Sequence, residues 1–376
     1  MLKEAIRFIQ YDKAKSIGVV IGIVISTFLI GQQIGIATFL TSLMSGMVDN
    51  STGDIWVVDS RTTDANSLGK LDVRKVREIR SIEGVAEAYP MVLTGGTATF
   101  PNGKSTGIIL VGSEAPAFAA GPLPEKILQG SLERLQTEAA VSADLYDAPT
   151  YEIETTPGTE FEINGKRAVI GAQTNNLRGF GGSMMYTTLE RARYFGNSST
   201  TDISAVVVNV KPGYTPQQVR NQINRGVYGL RAWVRSDFSK STVSYVLGTS
   251  GIGASTGTLV VFAVISGFFI IGLTMYSSAL DRIRDYGTLK AIGASNGYIR
   301  RLILLQAAIF ALVGFAIAFA LLEGFRQGVQ RTGLIFGFSW PVIAGIFAVT
   351  LFIALSGAIF ALRRITGLEP AAVFRG

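Results

Sequence analysis

The chain contains neither cysteine nor histidine in its 376 residues. Without thiolates and imidazoles it can form no disulfide, no Cys/His zinc site, no catalytic thiol and no Ser-His-Asp triad. Charged residues are also scarce at 16%, whereas apolar residues reach 48% and the mean hydropathy is +0.36. This composition is too apolar for a soluble domain, and it predicts a membrane protein rather than a member of most enzyme classes.

Four apolar runs are long enough to cross the roughly 30 Å hydrocarbon core of a bilayer, which takes about 20 helical residues each. We assign the spans to residues 17–44, 251–280, 302–322 and 342–362. The first run continues through Gln32 and Gln33 into further apolar residues without a convincing cleavage site, which predicts an uncleaved anchor. About two hundred residues of globular composition separate the first two spans.

Basic residues gather in three segments: before the first span, between the second and third, and after the fourth. These twelve Lys and Arg exceed the five acidic residues of the same segments by the whole net charge of +7. Because Lys and Arg near span ends are retained in the cytoplasm, we predict that both termini and the loop 281–301 are cytoplasmic. Residues 45–250 and the short loop 323–341 are then external to a bacterial cytoplasmic (inner) membrane, and no nucleic-acid partner is needed to explain the charge.

Residues 1–16 carry apolar positions at helical spacing opposite charged ones, which predicts a short helix in the cytoplasmic interface. Two roles stay open for this helix: a static membrane anchor, and an interfacial helix that moves during function. Small residues on one face of the first span, and Gly257 in the second, are predicted to let another helix approach closely. The face on the first span comprises Gly18, Gly22 and Ser26.

The insert between the first two spans has the pattern of a mixed α/β domain. Strand and helix signals in 53–113 and again in 201–236 predict two parts of one domain, interrupted by a segment 114–200 with strands of its own. Asn164-Gly165 predicts a tight hairpin within that segment. The predicted strands are 53–59, 85–100, 105–111, 203–210 and 230–234, and the predicted helices are 73–82 and 216–225.

One apparent nucleotide motif lies in the insert, where Asn102-Gly103-Lys104-Ser105 contains the GKS of a phosphate-binding loop. The leading glycine of that loop would fall on Ala98, and strands rather than a helix follow, so we interpret the segment as a hairpin tip. ATP hydrolysis is therefore expected to reside in a partner chain and not in this one.

The segment 281–295 reads DRIRDYGTLKAIGAS and resembles the RxRExGxLxAxGA signature of the FtsX and MacB superfamily of ABC permeases. Asp285 stands where those proteins usually carry glutamate. The order of one span, a large external domain and three further spans is similar to that family over essentially the whole length, as is the proline-containing tail 368–375. Within the family, residues 211–216 (KPGYTP) and 356–359 (SGAI) are most similar to the DevC-like exporter permeases.

The resemblance implies a four-helix membrane protein whose extracytoplasmic mixed α/β domain has porter-like (53–113, 201–236) and inserted Sabre-like (114–200) subdomains. It also implies a homodimer that works by mechanotransmission. A separate ABC ATPase subunit would bind ATP and Mg, so this chain would need no cofactor, metal or catalytic residue of its own. Membrane lipids, a periplasmic membrane-fusion adaptor and a TolC-like outer-membrane protein are the further partners it implies.

The resemblance also places the contact with the ATPase in the loop 281–301. Charged side chains would pair with the ATPase surface, Leu289 and Ile292 would offer an apolar knob, and Gly287 and Gly293 would bracket a short helix. A solvated basic loop that only orients the chain is the alternative. The candidate coupling residues are Arg282, Arg284, Asp285, Gly287, Leu289, Lys290, Ile292 and Gly293.

Three functions stay open at this point, and they differ in what the external domain contacts. The favoured one is export of an amphiphilic substrate through an adaptor and an outer-membrane duct. The alternatives are an FtsX-like transmembrane regulator of an extracytoplasmic hydrolase, which transports nothing, and a lipoprotein-releasing permease.

Overall fold

The computed structural model describes residues 2–11, 13–281, 283–330 and 332–366. The predicted tail motif 368–375 and Arg282 lie outside these residues. The helices are α1 (Leu2–Tyr11), α2 (Lys13–Asp49), α3 (Lys75–Arg80), α4 (Ala148–Tyr151), α5 (Leu189–Gly196), α6 (Pro216–Gly226), α7 (Arg235–Thr249), α8 (Ile252–Asp281), α9 (Ile283–Ala291), α10 (Asn296–Gln330) and α11 (Trp340–Thr366).

In the part of the chain that the structure describes, the strands lie in the insert between α2 and α8. They are β1 (Ile55–Asp59), β2 (Leu71–Asp72), β3 (Val85–Thr99), β4 (Ser105–Ser113), β5 (Ile127–Gly130), β6 (Ala140–Asp144), β7 (Glu160–Ile163), β8 (Lys166–Thr174), β9 (Ser183–Thr188), β10 (Asp202–Ile203), β11 (Ala205–Val210) and β12 (Leu230–Val234).

Within the described residues, four helices are long and apolar enough to cross a membrane. Each contains or overlaps one predicted span, so the prediction of four apolar helices is confirmed. Three of them continue past the apolar run, because a helix does not end where the hydrocarbon does. The four helices are α2, α8, α10 and α11.

The described chain forms two compact units. The first, here called the helical unit, comprises the described residues within Met1–Thr38, Gly253–Gln330 and Leu334–Gly376. The second, called the sheet unit, comprises those within Phe39–Ile252 and Arg331–Gly333.

Small residues bring the helices of the helical unit close together. Gly18, Gly22 and Ser26 lie on the face of α2 that packs on α8: a Cβ on Gly22 would lie 2.6 Å from Cγ2 of Ile270, and one on Gly267 would lie 2.8 Å from Cβ of Ser26. Contact of this kind compensates for the weak hydrophobic drive between helices in lipid.

Gly257 differs from these residues. In the described part of the chain, no atom lies within 4 Å of the Cβ that a substitution would add there, apart from its own helix and neighbours. The packing role predicted for Gly257 therefore has no partner among the described residues.

The sheet unit is built on a ten-stranded mixed sheet with the main order β12-β1-β11-β3-β7-β8-β5. β4 pairs with β3 and with β9, β6 pairs with β8, and β2 forms a separate pair with β10. β4 with β9 and β6 with β8 are parallel, while the neighbours along the main order are antiparallel. This is the large mixed α/β domain that the sequence predicts.

Strand β1 is buried on both faces, so its alternate side chains serve two different cores. Ile55 and Val57 pack in one apolar cluster with residues of α3 and α6, whereas Trp56 and Val58 pack in another with Phe238 of α7. The indole Nε1 of Trp56 donates to the Ser51 hydroxyl at 3.0 Å, which satisfies its only polar group.

Two turns predicted from the sequence are confirmed. Asn164 and Gly165 have φ of +50° and +73° and join β7 to β8 with Ile163 opposite Lys166, as a two-residue turn of the primed type requires. Residues 100–104 form the tip between β3 and β4, where the Gly103 amide donates to the Phe100 carbonyl at 2.9 Å. The GKS segment is thus a hairpin tip.

The two nested parts predicted for the insert share one strand. β3 pairs with β11 over Val85–Met91, with β4 over Met91–Thr99, and with β7 at Ala98 and Thr99. The porter-like and Sabre-like segments are thus joined in one continuous sheet, and their division into subdomains stays a prediction.

Candidate functional site

The segment that carries the family-like signature forms helix α9, between α8 and α10 in the helical unit. Asp281, the last residue of α8, forms an ion pair with Lys15 near the start of α2. This contact joins the two helix ends next to α9, and the sequence pattern alone did not indicate it.

One face of α9 is bound into its own chain. Tyr286 is 3% exposed and belongs to the apolar core of the helical unit, Gly287 is buried beside it, and Leu289 packs against the same core. The core includes Leu302 and Ile303 of α10. The inner face of α9 is therefore part of the same apolar core as α10.

The opposite face of α9 is exposed. Arg284 and Asp285 are exposed in the first turn, and Thr288, one turn further, donates its hydroxyl to the Arg284 carbonyl at 2.9 Å. Ile292, directly after the helix, is 77% exposed. This apolar side chain lies next to charged residues and outside the apolar stretches of the spans.

The end of α9 is a complete glycine cap. The amide of Gly293 donates to the Lys290 carbonyl at 3.0 Å, and the amide of Ala294 donates to the Leu289 carbonyl at 2.9 Å. Gly293 has φ of +102°, the left-handed conformation that this cap needs and that glycine adopts without strain. The cap fixes the direction in which Ile292 projects.

The structure corrects two details of the predicted site. Leu289 and Ile292 do not form one exposed knob, because Leu289 faces the core of its own chain while Ile292 lies past the helix end in the cap. Gly287 does not mark the start of the helix: α9 begins at Ile283, so Gly287 lies inside it and is buried. Tyr286 was not among the predicted site residues, because an aromatic residue among charged ones was its only signal in the sequence.

Helix α1 has the predicted amphipathic character. Ala5 is buried and Ile9 packs on the core of the helical unit, whereas Lys3, Arg7 and Gln10 are exposed. The Ser16 hydroxyl donates to the Ile9 carbonyl at 2.8 Å and so ties α1 to α2.

Basic side chains dominate the exposed surface of the segments around α9. Arg300 and Arg301 at the start of α10 are exposed, as are the basic residues of α1 and Lys13 at the start of α2. Among the described residues, no group of three or more acidic side chains could hold a metal ion.

Two family models cover most of the chain. Residues 16–225 match the MacB-like periplasmic core domain, and residues 257–370 match the FtsX-like permease C-terminal domain. The chain belongs to the FtsX/MacB-like family of ABC transporter permeases. The second match contains most of α8 and all of α9, α10 and α11. The predicted family is therefore confirmed, and the chain is a multi-pass membrane protein.

Individual relatives of this permease are distant. It is 25% identical over 396 aligned positions to an uncharacterized ABC transporter permease of Mycobacterium tuberculosis, and this alignment covers 100% of both chains. It is 26% identical over 196 residues to an uncharacterized ABC transporter permease of Methanocaldococcus jannaschii, and this alignment spans about half of each protein, 49% of this chain and 48% of the relative.

Two solved structures are similar to parts of the permease. One is the extracellular domain of the noncanonic ABC-type transporter YknZ from Gram-positive bacteria, with 15% identity, a TM-score of 0.36, and coverage of 48% of this chain and 98% of that chain. The other is the periplasmic region of MacB from Actinobacillus actinomycetemcomitans, with 12% identity, a TM-score of 0.39, and coverage of 54% of this chain and 95% of that chain.

Proposed function

We propose that the chain is the permease subunit of an ABC exporter of the MacB/DevC-like type, in which a separate ATPase docks on α9. Two copies of the permease form the membrane part. ATP-driven displacement of α9 passes through the helices to the sheet unit, which moves an amphiphilic substrate into an adaptor and an outer-membrane duct.

The observation that carries this proposal is the division of α9 into two faces. Tyr286 and Leu289 hold the helix to its own chain, and Arg284, Asp285 and Ile292 stay available to a partner. A solvated loop that served only to orient the chain would need neither a buried tyrosine nor a rigid cap behind an exposed isoleucine. The same arrangement fits a lever whose inner face pulls on the spans.

Ile292→Asp tests the docking. If Ile292 enters an apolar groove on the ATPase, the carboxylate loses water without gaining a partner, which weakens the complex by a few kcal/mol. We expect at least a tenfold lower affinity, equivalent to about 1.4 kcal/mol, in a pull-down of the ATPase at matched permease expression.

Ser295→Asp is the matched control, since it adds the same carboxylate to the same connection. Ser295 accepts the Tyr298 amide at 3.2 Å at the start of α10, and aspartate fills this capping position equally well. Equal recovery of the ATPase with wild type and Ile292→Asp would contradict docking through Ile292. Equal losses with both variants would mean that charge, and not the apolar contact, governs binding.

The export branch is tested separately by what purifies with the sheet unit. Capture of a membrane-fusion adaptor with the intact permease complex supports export. We expect this result because residues 211–216 and 356–359 of the permease are similar to DevC-like permeases. Capture of a cell-wall hydrolase or of an acylated lipoprotein would contradict export and would favour one of the two alternatives.

A further inference from the structure

Arg178 lies in the loop 175–182, between β8 and β9, where its backbone is held firmly on both sides. The preceding amide, of Leu177, donates to the buried Asp144 carboxylate at 2.7 Å. The Arg178 carbonyl oxygen packs against the last turns of α2, and it would lie 2.5 Å from a Cβ on Gly46. The loop is therefore fitted closely to the end of α2 within the sheet unit.

The guanidinium of Arg178 makes three further contacts within the same unit. Its Nε is 3.3 Å from Oδ1 of Asp147, whose side chain is only 2% exposed, and the ring of Phe39 lies 5.9 Å from its central carbon. Its Nη1 donates to the carbonyl of Gly333 at 2.7 Å. The Arg178 side chain itself is 20% exposed.

Gly333 belongs to the connection between α10 and α11, and its position is specific. It has φ of +87°, and a Cβ there would lie 2.9 Å from Nη1 of Arg178 and 3.4 Å from the carbonyl oxygen of Tyr146. Only a glycine fits this backbone conformation and this space without displacing its neighbours. Gly337, later in the same connection, is in open space among the described residues.

We infer that Arg178 is a positioning residue of the transport cycle, which fastens the α10–α11 connection to the loop 175–182 through Gly333. The inference rests on the proposed function. We call the contacts among Arg178, Asp147 and Gly333 the clamp. The loop 175–182 also packs closely on the end of α2, so both α2 and the α10–α11 connection are attached to this loop. Displacement of α10 or α11 is delivered to β8 and β9 through this clamp.

The test compares Gly333→Ala with Gly337→Ala in the permease–ATPase complex in nanodiscs. Since the chain has no cysteine, spin labels at Thr200→Cys and Ser295→Cys report the distance between the sheet unit and the α9–α10 connection. We expect Gly333→Ala to hydrolyse ATP at a near wild-type rate but to lose most of the ATP-dependent change in this distance. Gly337→Ala should keep both.

A second variant separates the clamp from simple stability. Arg178→Met alone leaves a buried carboxylate unpaired, so it is combined with Asp147→Asn, which removes that charge. Hydrogen–deuterium exchange of residues 332–339 should rise roughly tenfold in the double variant, as loss of a hydrogen bond to a charged group predicts. Fluorescence of Trp56 and Trp233, measured in a Trp340→Phe background, should report an unchanged fold of the sheet unit.

The outcomes distinguish the clamp from the proposed function. Equal distance changes in Gly333→Ala and Gly337→Ala would overturn the clamp, while the proposed function would stand. A wild-type complex without any ATP-dependent change would contradict the proposed function instead, and hydrogen exchange would then decide the clamp: unchanged exchange in the double variant would overturn it.

Discussion

Two buried carboxyl groups lie side by side in the sheet unit and differ in their partners. Asp144 accepts the amides of Leu177 and Tyr146 and the Thr174 hydroxyl, at 2.7, 3.1 and 3.0 Å. The Asp147 carboxylate forms an ion pair with Arg178 and accepts a hydrogen bond from the Tyr151 hydroxyl, each at 3.3 Å. Burial raises the pKa of both carboxyls, and it raises that of Asp147 to about 6 even though Arg178 acts in the opposite direction.

This pKa predicts a pH dependence of stability. The folded-state value of about 6 exceeds the ordinary value of 3.8, so the folded protein retains a proton that the unfolded chain releases between these two pH values. The stabilisation is complete below pH 4 and is lost as the pH rises through 6, by about 3 kcal/mol at most. We expect the urea midpoint of the permease, followed by tryptophan fluorescence, to fall between pH 5 and pH 7.

Asp147→Asn provides the control, because asparagine cannot ionise. Its urea midpoint should fall less over the same pH range, and the remaining fall should reflect Asp144 and Glu114, whose pKa values burial also raises. Asp72, whose pKa Arg74 lowers to about 2, titrates below this range. Identical slopes in wild type and Asp147→Asn would show that the Asp147 carboxyl ionises normally.

In helix α11, a glycine of the SGAI segment packs closely against helix α8. Gly357, in the SGAI segment, faces Gly272 of α8, and a Cβ on Gly357 would lie 3.1 Å from the Gly272 Cα and amide nitrogen. Backbone atoms inside a helix cannot move aside as a side-chain end can. The glycine thus sets how closely α8 and α11 approach.

Gly357→Leu should separate these helices and destabilise the helical unit by about 1–3 kcal/mol, the usual effect of overpacking. Gly345→Leu adds the same side chain to the same helix at a position with open space among the described residues, so it should be neutral. Size-exclusion chromatography of detergent-solubilised permease after graded heating measures the difference. Equal melting temperatures would contradict close packing at Gly357.

For the molecule as a whole, the distribution of basic residues predicts the sidedness of the membrane segments. Both termini and residues 281–301 should be cytoplasmic, and the sheet unit should be external. Single cysteines at the exposed positions Ser67, Thr200 and Ser295 can be labelled against a background without native thiols. In intact cells with a permeabilised outer membrane, an impermeant maleimide should label the first two and not the third.

Labelling of Ser295→Cys under these conditions would reverse the orientation and would remove α9 from the reach of a cytoplasmic ATPase. Permeabilising the inner membrane supplies the control, since all three positions should then react. Failure of Ser67→Cys or Thr200→Cys to react in intact cells would also contradict the prediction.

Hydropathy and local pattern were sufficient for the four spans, the mixed α/β insert, the Asn164-Gly165 turn and the α9 segment. These features depend on residues close together in the chain, and their periodicity or turn chemistry follows from the backbone alone. The ends of the helices were harder to predict: α10 continues past the apolar run to Gln330, and in these last turns Arg326 and Gln327 hydrogen-bond to Glu323 along the helix. The sequence pattern also could not distinguish the inward Leu289 from the outward Ile292, since both are apolar and three residues apart.

The clamp lies beyond any local pattern, because Arg178 and Gly333 are 155 positions apart. The only signal near Arg178 was a cluster of glycines after it, which predicts a loop but no partner. Composition and periodicity decide which segments enter the membrane and which form helices or strands, since each segment responds to its own solvent and backbone. Packing of distant segments decides which charges are buried together and which glycines have no room for a side chain.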